Sequence, residues 1–148
     1  MRVNYKAILV KYANDILTSP LFLQEKNFMQ HGSVTVYAHS IAVAIMALVI
    51  VRHLKLHVNE KAMTRGALLH DYFLYDWHHK DPSHRWHGFH HAKKAQENAI
   101  RDFSVSPLEQ HIIETHMFPL NIKPPLKKES FIVCVADKLC AIREIFSR

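Results

Sequence analysis

Glycine is scarce in this chain, with three residues in 148, and proline contributes only six. A β-rich fold joined by many tight turns draws heavily on both, so the shortage argues against one. Cysteine is limited to Cys134 and Cys140, too few for a disulfide framework. Six positions apart in a predicted helix, the two thiols point in different directions and are expected to stay free. Free thiols favour a reducing, cytoplasmic setting. Long apolar runs are also missing. Near the N-terminus Ala7 to Val10 is too short for the core of a leader peptide. The longest run, Ile41 to Val51, has eleven residues, against the about 20 that a bilayer span needs. It is expected to be a buried core helix, and no membrane association is expected.

What remains is an ordinary globular mixture, 49% hydrophobic and 22% charged, too apolar for disorder and of a length that suits a single domain over residues 1–148. Nineteen basic against thirteen acidic residues give a net charge of +6 with histidine neutral, which favours anionic partners such as phosphates, nucleotides or nucleic acid. The unusual figure is thirteen histidines. Histidine is the commonest metal ligand and the side chain that titrates nearest neutrality, so the excess directs attention to metal and acid–base chemistry.

Apolar periodicity predicts an all-α fold of roughly five to seven helices. Residues 4–18 carry a stripe of Tyr5, Ile8, Leu9, Tyr12, Ile16 and Leu17 that Pro20 ends. Residues 33–55 are apolar on most sides and read as a central helix. Asn59 is placed to cap a helix running to His70. Ser106-Pro107-Leu108-Glu109 has the form of a capping box with proline at the first helical position, opening a helix that ends at His116. Residues 91–103 are helical by their alanine spacing, and Lys127 to Phe146 reads as the last helix, with Phe131, Cys134, Ala141 and Ile145 on one side. No strand is predicted. Residues 75–91 read as a long loop rich in histidine and tryptophan.

Three places in this scheme carry chemistry. His70-Asp71 closes an apolar helix, so both side chains can enter one cleft, and imidazole with carboxylate suits Mn, Fe, Zn or Mg. His39 lies within the most hydrophobic helix, where a buried imidazole needs a hydrogen-bond or metal partner. Asp137 sits in the apolar stretch Val133-Cys134-Val135-Ala136, where a carboxylate must be paired, protonated or metal-bound, Lys138 and Arg143 being its nearest cations in sequence.

The pattern His39, His70-Asp71 and Asp137, each on its own predicted helix, resembles the HD-domain metal-dependent phosphohydrolase superfamily over about residues 30–146. The resemblance implies a helical bundle of the HD-domain type in which these four residues hold a divalent metal. His91-Ala92-Lys93-Lys94-Ala95 and His116 look like the two extra histidines of the two-metal branch, implying a ligand set of His39, His70, Asp71, His91, His116 and Asp137 with Asp71 bridging. His87 and His90 are alternatives to His91. Gln30-His31-Gly32, Trp86-His87-Gly88-Phe89 and His116-Met117-Phe118-Pro119-Leu120 look like segments of small stand-alone bacterial members. No Gly-Tyr-Pro follows the HD pair, unlike the cyclic-di-GMP phosphodiesterases. The lysine that many members carry a few residues later is missing from the stretch Tyr72-Phe73-Leu74-Tyr75-Asp76-Trp77.

The implied activity is hydrolysis of a nucleotide or other small phosphorylated metabolite by a metal-activated hydroxide, with one or two divalent ions (Fe, Mn or Zn first, Mg next). Asp71 would be central to catalysis and His87 the general acid. Lys80, Arg85 and Lys138 are candidates to offset phosphate charge, and Trp86 to stack on a base. Two other functions remain open. One is a non-catalytic nucleic-acid-binding or signalling module, though the basic residues are scattered rather than striped. The other is a di-iron oxygenase built on the same ligands.

Overall fold

The computed structural model describes residues 2–31, 33–72, 87–119 and 122–146, with His31 and residues 87–91 described by backbone alone. Seven α-helices occur among the described residues: α1 (Tyr5–Leu17), α2 (Pro20–Leu23), α3 (Val36–His53), α4 (Glu60–Leu69), α5 (His87–Asp102), α6 (Pro107–Thr115) and α7 (Lys128–Phe146). The fold is all-α, as the periodicity predicts.

Local chemistry explains where these helices start. The side chains of Asn4, Thr35, Asn59 and Ser106 accept hydrogen bonds from Ala7, Ala38, Ala62 and Glu109 backbone N–H groups, satisfying donors that the first turn leaves open. α3 is the central element and packs against α1, α4 and α7, while α6 packs against α4, α5 and α7. On length and composition alone α3 is able to cross a bilayer. In this fold its Val43, Ala44, Ala47 and Leu48 are fully buried in the core with Met63, Leu68, Leu69, Ile112, Ile113 and Val133. α4 and α6 approach so closely at Gly66 that a Cβ there would lie 2.7 Å from Ile112 Cγ2. Arg65 joins the same helices to α1, with Nη1 and Nη2 on the Asp15 carboxylate at 2.6 and 3.0 Å and Nε on Glu109 at 3.2 Å.

Three expectations need correction. A short antiparallel hairpin, β1 (Met29–His31) with β2 (Val34–Thr35), precedes α3 where no strand is predicted. Three- and two-residue strands are too brief to show alternation. α5 begins at His87 rather than His91, so the histidine-rich stretch ends four residues earlier than its composition suggests. His87, Gly88 and His90 read as loop, yet they occupy the first turn of a helix. Finally, Phe131 and Ile145 do not share a buried side of α7 with Cys134, being 60% and 46% exposed. The inward face runs instead through Val133, Ala136, Cys140 and Glu144. α7 is apolar on most of its circumference, so hydrophobicity alone does not single out its buried face.

Candidate metal centre

Four helices deliver their chemical groups to one buried point. His39 sits in the first half of α3, His70 caps the C-terminus of α4 with Asp71 following it, His116 caps α6, and Asp137 lies midway along α7. Ligand atoms of His39, His70, Asp71 and Asp137 all lie within 4.8 Å of one another. His39, His70, Asp71 and His116 are buried and Asp137 retains slight exposure.

Each imidazole is oriented by its outer nitrogen. His39 Nδ1 donates to the Glu144 carboxylate, 2.8 Å from Oε2, and His70 Nδ1 donates to the Ala67 carbonyl at 2.6 Å. His116 Nδ1 donates to the Ile113 carbonyl at 2.8 Å. With the proton on Nδ1, all three Nε2 lone pairs face the centre, which is the tautomer that metal ligation requires. Nε2 of His39 lies 2.7 Å from Asp137 Oδ1, and Nε2 of His70 lies 3.2 Å from the same oxygen. Asp71 divides its oxygens. Oδ2 is 3.1 Å from His70 Nε2 and 3.5 Å from His39 Nε2, while Oδ1 is 3.4 Å from His116 Nε2.

Contacts this short between imidazole nitrogens and carboxylate oxygens need a positive charge between them, either a proton or a metal ion. The electrostatics point the same way. Burial opposes a charge on His39, but hydrogen bonds to Asp137 and Glu144 and the charge of Asp71 outweigh it and raise its pKa to about 9. His70 is likewise pushed well above its ordinary value against the effect of burial, by Asp71 and Asp137. Burial works to raise the Asp137 pKa, yet hydrogen bonds from His39 and His70 hold its carboxyl far below the usual carboxylate range. Two imidazoles and two carboxylates of this arrangement fit a divalent cation in donor type and in charge.

The sequence-predicted residues fall into three groups. The structure brings His39, His70, Asp71, His116 and Asp137 together. Lys138 lies beside them, but its ammonium donates to the His116 carbonyl at 3.3 Å and to Cys134 Sγ at 3.1 Å, so its hydrogen bonds go to its own chain. His87 and His91 open α5 one helical turn apart, and with His90 they are described by backbone only. Lys80, Arg85 and Trp86 lie outside the described residues. The suggestion that Asp137 pairs with Lys138 or Arg143 gives way to its contacts with the two histidines.

Three contributors are not predicted. Glu144 orients His39 from two turns beyond Asp137, and that seven-residue spacing on one helix face is the signal for it. Gln30, in the hairpin, donates through Nε2 to Asp71 Oδ2 at 3.0 Å. Glu25 is 1% exposed, and burial together with the Asp71 charge pushes its carboxyl well above the usual range, so it is held neutral near the centre. Neither Gln30 nor Glu25 sits in a periodic pattern that singles it out.

A family model described as the HD domain matches residues 36–142, a stretch that includes all five converging residues. No curated protein and no solved structure matches the chain. Members of this family are typically metal-dependent hydrolases. Both the matched stretch and the buried histidine–aspartate cluster it contains place the chain in the HD-domain family.

Proposed function

We propose that the protein is a metal-dependent phosphohydrolase acting on a nucleotide or another small phosphorylated metabolite, with two divalent ions in its active form. The observation that carries this reading is the divided Asp71 carboxylate, one oxygen toward His39 and His70 and the other toward His116. A carboxylate set between two groups of imidazoles is suited to bridging two cations. His39, His70, Asp71 and Asp137 would hold one ion, and Asp71, His116 and His91 the other.

When bound, the ions would supply a Lewis acid for water activation and charge neutralisation at a phosphoryl oxygen. The remaining tasks fall to the chain. Asp71 and Asp137 bring the negative charge that fixes the ions, and Glu144 holds His39 in place. His87, at the start of α5, is placed in the proposal as the proton donor to the leaving oxygen. Lys80 and Arg85 would balance charge on the phosphoryl group, Lys138 being turned onto the His116 carbonyl and the Cys134 sulfur instead, and Trp86 would stack on a base. The two free, buried cysteines are in keeping with a cytoplasmic protein.

The test is elemental analysis of tag-free protein, wild type beside Asp71→Ala, joined to phosphate release from a panel of nucleotides and phosphomonoesters. Nearly two ions per chain, lost together with hydrolysis in Asp71→Ala, is the expected result. One ion would assign the single-metal arrangement and leave His91 and His116 other roles. Iron with dioxygen consumption and no phosphate release would move the chain to the oxygenases. Absence of metal and of hydrolysis, with retention of nucleic acid, would support a binding module.

A further inference from the structure

The inner face of α7 carries Asp137 and Glu144, but its outer face is apolar and open. Phe131 is 60% exposed, Leu139 46%, Ile142 54%, Ile145 46% and Phe146 83%, with Val135 half-buried among them. Together these side chains expose on the order of 500 Å² of apolar surface, a size at which patches on soluble domains mark contact sites. We propose that this face is the interface of a homodimer, in which α7 packs antiparallel against α7 of a second copy. The inference is independent of the metal chemistry proposed above.

The pattern itself points to a second copy. A two-fold contact requires a surface complementary to itself. Read in either direction about the midpoint between Lys138 and Leu139, the exposed face keeps its character at two of its pairs, with Phe131 answering Phe146 and Val135 answering Ile142, while the Lys138 stem meets Leu139 at the centre. An antiparallel pairing on that axis sets a phenylalanine at both ends, Val135 against Ile142 inside them and the Lys138 stem against Leu139 at the centre. Positions 131, 135, 138, 142 and 145 follow the alternating four-and-three spacing of a helix–helix seam. Phe131 to Phe146 spans about 22 Å of helix at about 1.5 Å per residue.

Lys138 is the charged residue on this stripe. Its ammonium is folded back onto the His116 carbonyl and the Cys134 sulfur, leaving its methylene stem on the face. That conformation suits a dry protein contact better than a lipid surface, where the ammonium would reach outward to anionic headgroups. A standard interface buries roughly 800 Å² per partner. The stripe supplies more than half of that as an apolar centre, and Lys128 and Arg143 border it.

The full, tag-free chain tests this by sedimentation and light scattering, with circular dichroism as the control for folding. Wild type is expected to contain two copies per particle, and Ile142→Glu to weaken the dimer by about tenfold or more. The register is tested separately by Val135→Cys/Ile142→Cys. Mild oxidation should link two chains in the double variant and not in either single variant. Within one chain those positions are about 10 Å apart along the helix, too far for a bond. This cross-link decides the matter if Ile142→Glu fails to fold. A monomer at all concentrations, or a dimer that folded Ile142→Glu leaves intact, would overturn the proposal. Cross-linking of Val135→Cys alone would overturn the antiparallel register. Sedimentation of monomer with phosphatidylserine vesicles would assign the face to a membrane instead.

Discussion

Glu144 holds His39 through both carboxylate oxygens, 2.9 and 2.8 Å from Nδ1, on the side of the ring away from Asp71 and Asp137. Within α7 it stands two turns beyond Asp137, so one helix supplies both a candidate ligand and the group that aims another. Removing such a partner typically costs about 10–100-fold in metal affinity. Glu144→Ala should therefore weaken metal binding by about that factor, read by titration against a competing chelator. Glu144→Gln keeps a hydrogen-bond acceptor for Nδ1 and should lose less. Equal affinity in wild type and Glu144→Ala would show that His39 needs no such support.

Metal-free protein should lose stability as pH rises above neutrality. His39 has a folded pKa of about 9, against roughly 6.5 when unfolded. A group raised in this way stabilises the fold fully below about 6.5, and that contribution disappears as pH climbs through about 9. His70 shifts in the same direction. Asp137, whose pKa is depressed, contributes above its unfolded value near 4 and is lost only in acid. Bound metal takes the place of the protons, so the gap in melting temperature between loaded and metal-free protein should widen from pH 6.5 to 9. Metal binding near pH 7.5 should also release protons. A metal-free melting temperature that stays flat over this range would contradict the arrangement.

The backbone leaving Asp71 is held by a second set of contacts. Asn98 donates to the Tyr72 carbonyl at 3.0 Å, and the Tyr72 hydroxyl donates to Asp102 at 2.7 Å. These bonds tie the turn after α4 to α5. Asn98→Ala leaves a buried carbonyl without that donor and should destabilise the fold by about 1–3 kcal/mol. Tyr72→Phe removes only the hydroxyl contact and should cost less, about 0.5–1.5 kcal/mol. Denaturant unfolding of the two variants beside wild type gives the comparison. A larger loss in Tyr72→Phe would reverse the assigned importance.

Most of the helical frame was legible because its signals are local. Asn59 and Ser106 cap the helices that their sequence contexts indicate, and the alanine spacing after His91 matches the buried side of α5 at Ala92, Ala95 and Ala99. His39 and Asp137 were legible for another reason: polar groups amid apolar neighbours require partners. Gln30 stood out only as part of the Gln30-His31-Gly32 segment, and its role did not, since its contact with Asp71 spans 41 positions and depends on a hairpin too short to leave a pattern. The start of α5 was hidden by residues whose propensities favour a loop. The stripe of Phe131, Cys134, Ala141 and Ile145 in α7 is a poor guide to its buried face because Phe131 and Ile145 are exposed while Cys134 is buried.

Packing at Gly66 should control the same centre from a distance. In α4 this glycine lies four residues before His70, and an added Cβ would stand 2.7 and 2.9 Å from Ile112 Cγ2 and Cβ. Alanine gains about 1 kcal/mol over glycine in helix propensity, while forcing volume into a packed interface costs about 1–3 kcal/mol. The contact here is with a branched side chain in the fully buried core, so the steric cost should prevail. Gly66→Ala should lower stability by about 1–2 kcal/mol in denaturant unfolding. Because α4 carries His70 and Asp71 at its end, parting it from α6 should also move them relative to His116. Metal affinity should then fall in Gly66→Ala although no ligand has changed. Ile112→Val in the same background removes one methyl from the crowded contact and should restore part of both losses. An unchanged or raised stability in Gly66→Ala would show that α4 and α6 can separate without strain.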